Sequence, residues 1–120
     1  MSKLIKKSFE VPDETRPIAS GKVEVVKLDD FQAIRNRFEP GWRWSESIKP
    51  IAKTESCQVQ HLLYIVSGRL SVKMVDGTTA EFGPGEVGVV PAGHDAWVVG
   101  KEPCVNLDFG GSTVYARPAS

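Results

Sequence analysis

The sequence predicts an all-β fold in a single domain, and three observations carry that prediction. Apolar residues alternate with polar ones along several short runs, as Leu70, Val72 and Met74 do against Arg69, Ser71 and Lys73. Glycine and proline turn signals break these runs at roughly 8 to 12 residues, the spacing of a sandwich or barrel. Finally, 120 residues suffice for one hydrophobic core and leave little for a second.

Residues 1–20 hold polar side chains with Pro12 and Pro17 and no sustained period, so they read as an N-terminal arm that packs on a neighbour. Residues 21–120 form the domain. Val23 and Val25 mark a strand over Lys22–Leu28, and Asp29-Asp30 a turn. Phe31–Phe38 fits a short helix or a strand; the strand-turn rhythm around it favours strand. Glu39-Pro40-Gly41 breaks the chain. In Trp42-Arg43-Trp44 the two indoles point the same way if the run is extended. Ser45–Lys53, with Pro50, reads as a loop.

Residues 57–97 are the most explicit stretch. Leu62–Val66 is a strand of β-favouring residues ended by Ser67-Gly68. Asp76-Gly77 predicts a type I′ hairpin, with both residues at positive φ. Ala80 and Phe82 alternate on the return strand, and Gly83-Pro84-Gly85 suits a type II turn. Val87–Val90, Trp97–Val99 and Cys104–Phe109 add further strands, and Thr113–Arg117 a short edge strand.

Fifteen basic residues balance fifteen acidic ones, so no global field attracts nucleic acid or an anionic membrane. No apolar run approaches the ~20 residues of a membrane span. The first seven residues carry charge without a following apolar stretch, which speaks against a signal peptide. A cytoplasmic location is therefore expected, with Cys57 and Cys104 as reduced thiols. Gly83-Pro84-Gly85 lies between strands and is no phosphate cradle, and no nucleophile elbow is present.

The central stretch resembles the cupin superfamily. Cupins carry two His one residue apart, a Glu, and a Gly seven residues after that Glu; a second motif runs Gly, five residues, Pro-x-Gly, two residues, His. Here Gly68 matches the end of the first motif, and Gly85, Pro91 and Gly93 keep the spacing of the second. The likeness covers roughly residues 40–110 and implies a cupin barrel of the jelly-roll type.

The resemblance also implies where a divalent metal would sit, and at those positions the chain departs from the pattern. The Glu position is His61, the two His positions fall on Glu55 and Cys57, and the last His is Ala96. Glu55, Cys57 and His61 share strand parity, and carboxylate, thiolate and imidazole form a zinc-type donor set, with iron or nickel as alternatives. Direct sharing of an ion requires a bend near residues 58–60, because a straight strand separates Cys57 from His61 by about 13 Å. The competing reading makes Cys57 a small buried residue and His61 a hydrogen-bonded pocket histidine.

His94, on the loop expected at the barrel mouth, is a candidate fourth ligand or general base against the commoner exposed loop histidine. Trp42, Trp44 and Trp97 are candidates to line a small-molecule pocket; they serve equally to fill a core or a subunit contact. Cys104, Asn106 and Asp108 form a polar face directed to barrel or solvent. Two functions remain open: a small-molecule-binding cupin with a metal that polarises a carbonyl or activates water or oxygen, or a non-catalytic ligand-sensing or dimerisation module without metal. A homodimer is expected, since sheet edges need cover.

Overall fold

The computed structural model describes residues 3–49 and 60–110. The described residues contain nine strands: β1 (Glu14–Ile18), β2 (Gly21–Leu28), β3 (Phe31–Phe38), β4 (His61–Ser67), β5 (Arg69–Met74), β6 (Thr79–Phe82), β7 (Val87–Val90), β8 (His94–Val99) and β9 (Cys104–Asp108). They form a six-stranded antiparallel sheet in the order β1-β2-β3-β9-β4-β7 and a three-stranded sheet in the order β6-β5-β8. The two sheets enclose a core of Val23, Val25, Ile34, Phe38, Leu63, Ile65, Leu70 and Val72, and Trp42, Trp44 and Ile48 join it from the β3–β4 connection.

The period-two alternation sets which side chains reach this core. On β4, His61, Leu63 and Ile65 point inward, while Leu62, Tyr64 and Val66 point out. β9 continues the pattern, with Cys104, Asn106 and Asp108 inward. The β4–β9 register runs Leu63↔Asp108 and Ile65↔Asn106, then shifts at a bulge before Ser67↔Val105. Gly68 closes this corner at φ +77°, where an added Cβ would lie 2.2 Å from the Pro103 carbonyl oxygen.

Several local expectations need correction. The stretch read as an arm contains β1, which pairs along β2 from Glu14↔Val25 to Ile18↔Gly21. Its Pro17 is tolerated because β1 is an edge strand, where a missing N–H leaves no ladder bond broken. Asp76-Gly77 is not a type I′ turn, because Asp76 does not take positive φ. Instead a three-residue loop, Val75-Asp76-Gly77, is closed by the Gly77 amide on the Met74 carbonyl and the Met74 amide on the Thr78 carbonyl. Only Gly77 is left-handed (φ +95°), as in a turn followed by a bulge, and Asp76 Oδ1 accepts the Thr78 amide at 2.9 Å.

The stretch expected to be loop from Ser45 opens with a single helical turn, α1 (Trp44–Ser47). Asp95 Oδ1 on β8 accepts the Ser45 amide and so holds this turn against the sheet. Phe31–Phe38 is a strand, and Gly83–Glu86 is a turn closed by the Glu86 amide on the Gly83 carbonyl, with Pro84 second and Gly85 at φ +85°. Thr113–Arg117 lies outside the described residues. Among the described residues, no helix is long and apolar enough to cross a membrane.

Candidate functional site

A small cavity of about 20 Å³ lies inside the barrel, between β3, β4, β8 and β9. That is room for one or two water-sized groups, since a water needs roughly 10–15 Å³ by this measure. Two histidines meet there. His61 opens β4 and is buried; His94 opens β8 and is 3% exposed, with ring centroids 5.2 Å apart and the planes nearly perpendicular. His94 is therefore not an exposed loop residue: pairing with Met74 draws it into the sheet, and strand parity turns its ring inward.

Both imidazoles are oriented through Nδ1. His61 Nδ1 hydrogen-bonds to the Asp108 carboxylate, and His94 Nδ1 donates to the Pro91 carbonyl at 2.6 Å. A carbonyl only accepts, so the His94 proton sits on Nδ1 and Nε2 is the basic nitrogen. Asp108 is fully buried and also accepts the amides of Leu62 and Gly110, which locks the carboxylate and through it the His61 ring.

A buried amide pair forms the next wall. Asn36 Nδ2 on β3 donates to Asn106 Oδ1 on β9 at 2.9 Å, and Asn106 Nδ2 contacts Cys104 Sγ at 3.6 Å. Burial pushes the Cys104 thiol above its ordinary range, opposed by the weaker Asn106 contact. It is an inert thiol, because the thiolate is the reactive form.

Trp42 and Trp44 line the same cavity. Trp42 stacks on Phe38 at 3.8 Å with planes 8° apart, and Trp44 is carried in by α1. Their Nε1 atoms and Asn36 Oδ1 are buried without a hydrogen-bond partner among the described residues. Each such group costs about 1–3 kcal/mol if it stays unpaired. Three beside one cavity are a feature that wants explaining.

The expected pocket residues thus separate. Trp42, Trp44, His61 and His94 come together around the cavity. Trp97 does not line it: on β8 it alternates with the inward Ala96 and Val98, and its ring packs under the Arg43 guanidinium at 4.5 Å on the outer side. Glu55 and Cys57 lie outside the described residues, as does the bend expected near them apart from Gln60. Ala96, at the lost ligand position, borders the cavity as apolar wall.

Among the described residues, no three His, Cys, Asp or Glu side chains are grouped so as to hold a metal ion. The histidine pair nonetheless has the character of metal-binding imidazoles, which typically give the other ring nitrogen to a carboxylate or backbone carbonyl. These residues fit part of a donor set. Asn36 and Asn106 carried no functional expectation and a deferred one, respectively; the available signal was Asn36 at core parity between Ile34 and Phe38.

This architecture is that of a cupin barrel of the jelly-roll type. The chain is similar to a protein of unknown function from Rhizobium leguminosarum (22% identity, 90% of this chain and 97% of that one, TM-score 0.64). It is similar as well to the polyketide cyclase RemF from Streptomyces resistomycificus (16%, 91% and 80%, TM-score 0.63). Against the oxalate decarboxylase of Lactobacillus farciminis the identity is 20% and the TM-score 0.58, over 88% of this chain but only 31% of that one. At such identities the likeness establishes the fold. No protein family model matches the chain, and no curated protein matches it by sequence.

Proposed function

We propose that the protein is a small-molecule-binding cupin whose site is centred on His61 and His94. The observation that carries this reading is the cluster of unpaired Trp42 Nε1, Trp44 Nε1 and Asn36 Oδ1 around a cavity that two oriented imidazoles also border. An indole N–H can only donate, so two of them call for an acceptor such as a carbonyl, carboxylate or hydroxyl oxygen. In this reading His61, with Glu55 and Cys57 and with His94 as a further donor, holds a divalent metal: zinc, iron or nickel. Such an ion supplies Lewis acidity beside the ligand. The chain's own contribution is to fix the imidazoles through Asp108 and the Pro91 carbonyl and to hold them in a small, largely apolar cavity.

Metal analysis of protein purified with and without added metal tests this, alongside His61→Ala and His94→Ala. Stoichiometric metal in the wild type that is lost in both variants supports the site. Metal content unchanged by either substitution removes both histidines as ligands, and ligand binding without metal identifies a non-catalytic sensor.

The opposite side of the same sheet supports a homodimer. Leu62, Tyr64 and Val66 on β4 and Val87 and Val89 on β7 form an outer face between 40% and 64% exposed, with no charged side chain among them. A face of this kind is self-complementary about a two-fold axis and suits a second copy of the chain. A buried free thiol at Cys104 accords with a cytoplasmic location.

A further inference from the structure

The barrel has a seam. β6 ends the three-stranded sheet and β7 ends the six-stranded one, so these successive strands face each other as edges of different sheets. Between them runs an apolar groove of about 340 Å³, bordered by Val72, Met74, Ala80, Phe82, Val90 and Pro91. Val72 and Val90 border the central cavity as well, so two valine side chains are the layer that the groove and the cavity share.

Three features mark this groove as more than a surface dent. Ala80 pairs with the inward-facing Val72 and therefore has core parity, yet it is exposed, with none of the described residues covering it across the seam. Phe82 has the same parity and reaches over to β7, where a Cβ on Gly88 would lie 2.5 Å from its ring. Residue 88 must be glycine for the Phe82 ring to lie there. And strands held by no mutual ladder can part without losing backbone hydrogen bonds, so the barrel opens here at least cost. The cavity alone, at about 20 Å³, is too small for an organic ligand much larger than acetate; the groove supplies the missing space.

We propose that the seam is the apolar subsite of the cavity, and that the ligand is amphipathic. An oxygen-bearing head, in the simplest case a carboxylate, meets the indole N–H groups of Trp42 and Trp44, and a short hydrocarbon chain passes between Val72 and Val90 to lie under Phe82. This rests on the ligand-binding reading of the cavity and extends it to a class of molecule.

The test titrates the full chain with acetate, butanoate, hexanoate and octanoate, reading tryptophan fluorescence and thermal midpoint. Affinity is expected to rise about fourfold per added methylene until the groove is full. Ala80→Trp, with the milder Ala80→Leu in reserve should the first not fold, fills the groove from its exposed side. Either is expected to flatten the chain-length trend and leave acetate binding unchanged. Acetate binding with no chain-length dependence in the wild type overturns the subsite and leaves the cavity standing. No response to any acid overturns both. If Ala80→Trp lowers the mass in sedimentation without altering the trend, the groove is covered by a second copy and the proposal fails.

Discussion

Asp108 meets three N–H groups at once: the His61 ring and the amides of Leu62 and Gly110. An asparagine there offers one acceptor oxygen and presents an NH2 to at least one of the three donors. Asp108→Asn is therefore expected to lower stability by about 2 kcal/mol, the scale of a lost charge-assisted bond, and to free the His61 ring from its fixed orientation. Chemical denaturation checks the first effect; the Nδ1 proton resonance of His61 checks the second. An unchanged midpoint would mean that the carboxylate does not hold this corner. The site was legible in the sequence only in part. Parity on β4 and β9 put His61 and Asp108 at positions that can face one interior, but their meeting depends on the β4–β9 register, a pairing between residues 47 apart in sequence. His94 was misplaced because Pro91-Ala92-Gly93 reads as a loop that continues, whereas pairing with Met74 ends it at once.

The β5–β6 hairpin shows what turn chemistry fixes and what it leaves open. Gly77 at φ +95° has open space around its Cα, so the cost of Gly77→Ala comes from backbone conformation alone and should be about 1 kcal/mol. A denaturation midpoint that does not move would contradict the left-handed assignment. The dipeptide Asp76-Gly77 located the hairpin correctly but not its type, because a two-residue I′ loop and a three-residue loop with a bulge both place glycine at positive φ. Strand positions were legible wherever apolar and polar residues alternate, as on β5 and β9. They were hidden on β1, where Glu14-Thr15-Arg16-Pro17-Ile18 shows no such pattern. That strand is held by pairing with β2, across which Lys27 also meets Glu14 at 3.9 Å, and its edge position relaxes the demand for β-forming residues.

At the scale of the whole molecule, the exposed apolar face of β4 and β7 predicts association. Val89→Lys, on the outer side of β7 and 59% exposed, is expected to shift the proposed dimer to monomer in light scattering, with little change in the monomer's fold because most of the side chain is open to solvent. A monomeric wild type at micromolar concentration would remove the dimer. β4 thereby takes part in both proposed activities, and its alternation divides them by parity: positions 61, 63 and 65 face the interior, where His61 and Leu63 line the cavity, and 62, 64 and 66 lie on the outer face proposed to meet a second copy. In evolutionary terms these seven residues hold two interleaved texts that can be edited separately. Substitutions at odd positions retune chemistry while assembly is preserved, and those at even positions change the company the protein keeps. A single inserted residue exchanges the two and destroys both, so relatives descended from this chain should differ freely at these positions and almost never in the length of the strand.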